Sequence, residues 1–266
     1  MTLPVERGKF LSFEGIDGIG KSTQIQLFAE FLADQKVPFK VIRFPDRTTE
    51  IGKILAAGLK KRCACTVDTT GATGTACTAS DLDSHDRTKT TFLLFSANRW
   101  ELNSQIKKWL LEGYHVLCDR HALSGRAYGI ADGLSYSWTA GPDLGLVKPD
   151  VVFYFSPTTD CPPNVLNVGT AIAAVAATTT ATEDSKFDRF IAKSATTSGN
   201  EWPDNNIPFL TRVHECYENI LKDYSRIIIN CLDQDQKRIP AKAIFNQLSS
   251  KFLFKPIFDP LSVIEL

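Results

Sequence analysis

The chain has 266 residues, enough for one α/β domain with a substantial core. Its 43% apolar and 23% charged content sits near the soluble average, and no run approaches the roughly 20 apolar residues that cross a bilayer, which argues against global disorder and a membrane protein. Thirty basic residues balance 30 acidic ones, so no net field draws the whole molecule to nucleic acid or to an anionic membrane, and any anion site has to be local.

The N-terminus carries Glu6, Arg7 and Lys9 where a secretory signal needs an apolar stretch, so an intracellular protein is expected, cytoplasmic or nuclear. Phe10-Leu11-Ser12-Phe13 reads as a buried strand. It runs into Gly15-Ile16-Asp17-Gly18-Ile19-Gly20-Lys21-Ser22, which satisfies G-x-x-x-x-G-K-[ST]. Ile25, Leu27, Phe28, Phe31 and Leu32 then recur at helical spacing. Strand, glycine loop and helix in that order are the setting a phosphate-binding loop requires, because glycines let successive N–H groups converge on phosphate oxygens at a helix N-terminus. Lys21 would neutralise transferred charge and Ser22 would ligand Mg²⁺, with Gly15, Gly18, Gly20 and Thr23 completing the ATP loop. A plain glycine turn has no need of Gly20, Lys21 and a hydroxyl together.

Phe39 to Phe44 forms a second β-type run that stops at Pro45, which has no N–H to continue a ladder. Thr66 to Ser80 is rich in Thr, Ala and Gly, has few bulky apolar residues, and reads as a flexible insertion spanning about 61–88. Cys63, Cys65, Cys77 and His85 lie there, but Cys-x-Cys lacks the usual zinc-ligand gap. Seven scattered cysteines read as reduced thiols rather than a disulfide framework. From about Thr91 to Leu111 a helical period predicts the longest helix, stopped by Gly113. His115 to Cys118, Val151 to Phe155 and Ile227 to Ile229 read as three further buried strands. The prediction is therefore a five-stranded parallel sheet with helices on both faces, a P-loop NTPase fold in a single domain over 1–266. Ser156 to Asn200 is again Thr/Ala-rich and is read as part of a lid region over about 156–203.

The loop alone does not separate a kinase from a GTPase or a motor. An Asn-Lys-x-Asp guanine reader is absent from the sequence, whereas Arg43, Arg47 and Arg120 fall at the carboxyl ends of predicted strands, where an open parallel sheet binds ligands. The blocks FEGIDGIGKST (Phe13 to Thr23), RFPDRTTEIGK (Arg43 to Lys53), LLFSANRWE (Leu93 to Glu101), DRHALSGRAY (Asp119 to Tyr128) and PDLGLVKPD (Pro142 to Asp150) together resemble thymidylate kinases, in the family's order.

That resemblance implies ATP-dependent phosphorylation of dTMP to dTDP, with Mg²⁺, by a homodimer. It places Phe95 and Arg99 on the thymine, Phe44 near its methyl group, and Ser124 and Gly125 beside the base. Arg47 and Arg120 would hold the acceptor phosphate, Asp17 the 3′-hydroxyl, and Tyr128 would exclude a ribose 2′-hydroxyl. Asp119 would serve the metal. The P-loop supplies no catalytic arginine, since Gly18 and Ile19 stand there. Arg189 is the expected lid donor, near Lys186 and Lys193, with Arg126 as an alternative. Trp100 and Trp109 are candidates for the dimer face. The rival readings are a kinase for another deoxynucleotide and a catalytically silent nucleotide-binding homologue.

Overall fold

The structure, a computed structural model, describes residues 6–64, 84–157, 207–233, 235 and 237–253. Five strands pair in parallel in the order β2-β3-β1-β4-β5, with β1 (Phe10–Glu14) at the centre. Its neighbours are β3 (His115–Asp119) and β4 (Val151–Ser156), and β2 (Phe39–Arg43) and β5 (Arg226–Asn230) form the edges. Every residue of β1 and β3 is buried, which is why these segments read as continuous apolar runs rather than alternating ones.

The two faces of β1 do different work. Leu11 and Phe13 point to the side covered by α1 (Lys21–Asp34), where Phe13 meets Phe28, Phe153 and Phe155 at ring-centroid distances of 6.2, 5.1 and 6.1 Å. Each such buried ring contributes about 1.5–3 kcal/mol through area removed from water. Ser12 and Glu14 point to the other side, toward α4 (Ala122–Ala131) and α5 (Ile207–Ile220). A smaller cluster of Phe10, Ile42, Phe44, Ile106, Leu110, Val116 and Cys118 seats α3 (Ser84–Leu111) against β1, β2 and β3. The last helix, α6 (Ala241–Leu253), packs on α1.

α3 is longer than its apolar period predicts. It begins at Ser84 rather than near Thr91, because its polar first turns follow helical rules of their own, with Asp86 in the first turn and Lys89 3.4 Å from it. Gly113, at φ 84°, ends the helix as expected, its N–H bonding Leu110 O and that of Tyr114 bonding Trp109 O. On the other flank of the expected insertion, α2 (Glu50–Ala64) runs to Ala64. The Thr/Ala/Gly-rich stretch between α2 and α3, and the lid region beyond Pro157, lie outside the described residues. No described helix is long and apolar enough to cross a membrane, and no described cluster of His, Cys, Asp or Glu has the makings of a metal centre.

In this strand order the chain leaves β1 toward β2 on one side and, later, β3 toward β4 on the other. The carboxyl ends of β1 and β3 therefore border the crevice where open parallel sheets take ligands.

Candidate active site

The glycine loop leaves β1 through Gly15, whose φ of 145° and proximity to Phe155 O leave no room for a Cβ, which would stand 2.7 Å from that oxygen. Gly20, at φ 101°, caps α1 in the left-handed region, so the first N–H groups of the helix face the loop's concavity. Lys21 is buried and folds back, Nζ donating to Gly15 O at 3.1 Å and Ile16 O at 2.7 Å. Burial, and then the Arg120 charge, pull its pKa down to about 7. Ser22 Oγ donates to Asp119 Oδ2 at 2.9 Å.

β3 delivers Asp119 and then Arg120, whose φ of 66° is rare for a side-chain-bearing residue and holds its backbone N–H on Phe13 O. The Arg120 guanidinium spans the site. Nη1 donates to Gly15 O at 3.1 Å and to Ser124 Oγ at 3.3 Å, and Nη2 donates to Asp17 Oδ1 at 2.5 Å. Tyr128 donates its hydroxyl to Asp17 Oδ2 at 2.7 Å and places its ring 5.2 Å from the Arg120 carbon. Burial opposes ionisation of Asp17, yet Arg120, Lys21 and the Tyr128 hydroxyl outweigh it and keep this carboxyl below the usual range. Arg43 reaches Asp119 at 3.6 Å. Burial, followed by the charge of Arg43, pulls the pKa of Arg47 downward.

α3 forms the opposite wall. Phe95 is half-buried and belongs to neither hydrophobic cluster among the described residues. Arg99, 2% exposed, grips Asp143 with both ends of its fork, Nε to Oδ1 at 3.0 Å and Nη2 to Oδ2 at 2.7 Å. Its guanidinium lies against Gly125, where a Cβ would come within 2.9 Å of Nη2. Asn98 ties the helix to the turn after β2, accepting from Asp46 N–H at 2.7 Å and donating to Asp46 O at 3.0 Å.

The thymidylate kinase family pattern matches residues 13–164, more than half of the chain. A thymidylate kinase of Plasmodium falciparum is 42% identical over 165 residues, which are 62% of this chain and 67% of that protein. The human thymidylate kinase is 37% identical over 153 residues, 57% of this chain and 62% of its own length. Among solved structures, thymidylate kinase from Candida albicans superposes with a TM-score of 0.60 at 25% identity, covering 93% of this chain and 92% of the other.

The chain belongs to the thymidylate kinase family.

Against the thymidylate kinase expectation, the structure brings Asp17, Lys21, Ser22, Asp119, Arg120, Ser124 and Tyr128 together at one sheet edge. Phe44 is buried in the smaller core cluster, its ring 5.7 Å from that of His121. Ser124 is held within the protein's own hydrogen-bond network. Its hydroxyl is buried and engaged by Glu14 at 2.5 Å and Tyr217 at 2.6 Å, so its one hydrogen is already committed. Among the described residues Arg126 pairs with no acid and its Nε has no hydrogen-bond partner; it stacks on Tyr136, 4.9 Å from ring centre to guanidinium carbon. Arg189, Lys186 and Lys193 lie outside the described residues.

Three residues of the site escaped sequence reasoning. Asp143 is 44 positions from its partner Arg99, and nothing local links them. Arg238 reaches the loop from beyond β5, its Nη2 2.8 Å from where a Gly20 Cβ would stand. Glu14 was hidden in an apolar strand; a carboxylate in that position was the available signal.

Proposed function

We propose that this protein transfers the γ-phosphoryl group of ATP to dTMP, giving dTDP, and that it does so by alignment and charge neutralisation. The observation that carries this reading is the Asp17, Arg120 and Tyr128 lattice laid across the mouth of the glycine loop. It sets an acceptor-side carboxylate and an acceptor-side cation beside the donor-side lysine.

The acceptor phosphate is already an anion, so no general base is needed. Lys21 and the helix N-terminus take the donor phosphates, while Arg120 and Arg47 brace the acceptor dianion for in-line attack. Asp17 accepts from the 3′-hydroxyl, and the Tyr128 ring lies against the deoxyribose where a 2′-hydroxyl would need space. Phe95 stacks on the thymine, and Arg99, oriented by Asp143, presents its remaining N–H to a base carbonyl. Mg²⁺ suits the pair of Ser22 and Asp119. Asp119 Oδ1 is buried and has no hydrogen-bond partner among the described residues, which is an unspent acceptor for a hydrated divalent cation. When bound, the metal supplies charge neutralisation at the donor phosphates. The protein acts as a homodimer through α3, whose Leu93 and Trp100 stand exposed two turns apart.

Coupled ADP release over a panel of dTMP, dUMP, dCMP and thymidine tests the assignment, with each assay repeated after EDTA and after Mg²⁺ is restored. dTMP should be the best acceptor, and turnover should disappear with EDTA and return with Mg²⁺. Preference for thymidine or dCMP, or ATP binding without turnover, would refute it.

A further inference from the structure

Glu14 is fully buried at the end of the central strand, and the chemistry described so far does not use it. A buried carboxylate is costly unless its lone pairs are satisfied, and here three donors meet it, with a fourth hydroxyl close by. Oε1 accepts from Ser12 Oγ at 2.7 Å and from the His121 backbone N–H at 2.9 Å. Oε2 accepts from Ser124 Oγ at 2.5 Å, with the Tyr217 hydroxyl oxygen 3.3 Å away. The group thus joins β1 to the start of α4 and to α5.

The consequence lies in the direction of one proton. Ser124 has a single hydroxyl hydrogen, and an ionised carboxylate can only accept, so that hydrogen points to Glu14. The lone pairs of Ser124 Oγ then face Tyr217 O–H, at 2.6 Å, and Arg120 Nη1–H, at 3.3 Å. Arg120 donates only, so it can use Ser124 just when the serine's hydrogen is turned away from it. The same Nη1 also donates to Gly15 O, and Nη2 anchors the guanidinium on Asp17.

We propose that Glu14 is a positioning residue for the acceptor phosphate: by orienting the Ser124 hydroxyl it sets the Arg120 guanidinium in the attitude that receives dTMP. This rests on the reading of Arg120 as an acceptor-side cation. Burial pushes the Glu14 carboxyl above the ordinary range, whereas its hydrogen bonds from Ser124 and Ser12, the charge of Arg120 and the His121 N–H all favour the ionised form. The ionised form is the one whose oxygens can accept from Ser12, the His121 N–H and Ser124 together.

Replacement by glutamine makes the prediction sharp. The His121 backbone N–H can only donate, so it pins the amide oxygen at the Oε1 position and forces the amide NH₂ toward Ser124 and Tyr217. Ser124 then accepts from the amide and must turn its hydrogen toward Tyr217 or Arg120, so the fixed orientation in which its lone pairs meet Tyr217 O–H and Arg120 Nη1–H is lost. The side chain keeps its size, so packing is preserved while the relay is broken.

The experiment compares wild type, Glu14→Gln, Ser124→Ala and the double variant by initial rates with dTMP at saturating ATP. Direct calorimetric ATP binding and thermal melts are run on the same preparations. Each single variant should lower kcat/KM for dTMP about tenfold or more, the scale of a lost hydrogen bond to a charged group. The double variant should fall no further than the worse single one, and ATP affinity should stay within about twofold of wild type, because the donor side does not use this relay. Folded variants with unaltered dTMP kinetics, additive losses, or an equal loss of ATP affinity would overturn the assignment. If Glu14→Gln does not fold, Ser124→Ala alone must show the dTMP-selective defect, and wild-type kinetics there would refute the relay. A wild-type protein that neither binds nor phosphorylates dTMP would overturn the underlying reading and this proposal together. An active wild type with undisturbed variants would overturn this proposal alone.

Discussion

Lys21 shows how a site prepares for its ligand through desolvation. It stands in a buried loop with only carbonyl oxygens to donate to, close to Arg120, and its pKa falls to about 7 as a result. A polyphosphate placed against its ammonium group restores the charged form, so the pKa rises on ATP binding. The sign follows directly: above pH 7 the free protein has lost this proton and the complex holds it, so binding takes a proton up and weakens as pH rises. Proton uptake should be clear at pH 8 and smaller at pH 6. Calorimetry in buffers of different ionisation enthalpy reads this uptake, and Lys21→Arg, which cannot deprotonate, should abolish it. Binding heats that do not vary with buffer at pH 8 would remove the account. The loop was legible in the sequence because its chemistry demands neighbouring residues, from Gly15 to Ser22, in one continuous run. The fork from Arg99 to Asp143 was not, because a pairing across 44 positions is made by the fold and not by spacing. The partners of Ser124 were hidden for the same reason: Glu14 and Tyr217 lie 110 and 93 positions away.

At the level of elements, α3 has to serve three masters, and its faces are divided among them. Ile106 and Leu110 seat it on the sheet, Asn98 locks it to the turn at Asp46, and Arg99 reaches Asp143 and the Gly125 backbone beside the site. What remains is a side carrying Leu93, 47% exposed, and Trp100, 41% exposed, seven residues apart and therefore nearly in line along the helix. Trp100 is held in place there by its indole N–H on Pro142 O at 2.8 Å and by the approach of its ring to Gly145. An ordered aromatic beside an exposed leucine is the kind of surface a second copy covers. Leu93→Asp should therefore convert a dimeric wild type into a monomer without loss of the fold, as read by sedimentation velocity and circular dichroism. A monomeric wild type, or a variant that remains dimeric, would discard α3 as the interface. Helix boundaries were harder to read than helix existence. α3 extends back to Ser84 through residues with no apolar period, sustained by local polar contacts such as those of Asp86 with Lys89 and Thr90.

Across the whole molecule the parallel sheet was the most legible feature, because strands buried on both faces are dominated by apolar residues, as β1, β3 and β4 are apart from Ser12, Glu14, His115, Asp119 and Ser156. The exceptions to that apolarity are where function and stability meet. His121 and His214 are both buried against the sheet, one between Phe10, Phe44 and the wall of the site, the other stacked on Tyr154 with its Nδ1 2.7 Å from the tyrosine hydroxyl. Burial, aided in His121 by the charge of Arg99, lowers their pKa values to about 3 and about 4. An unfolded histidine titrates near 6.5, so between that value and the folded one the unfolded chain binds protons that the native state refuses. Stability is therefore lost as pH falls below about 6.5, by about 1.4 kcal/mol per pH unit for each histidine. Glu14 acts with the opposite sign, since its raised pKa lets the native state take a proton above the ordinary carboxylate range and so offsets part of the loss. His214 makes the cleaner test, because its hydrogen-bond partner is the Tyr154 hydroxyl and not a residue assigned to a substrate. His214→Gln keeps an acceptor for the Tyr154 hydroxyl but cannot titrate. Urea unfolding of both proteins at pH 7 and pH 5 should show the variant losing about 2 kcal/mol less than wild type across that interval. Equal losses in the two proteins would mean that His214 is protonated without penalty in the native state, and that the acid sensitivity of the fold arises elsewhere.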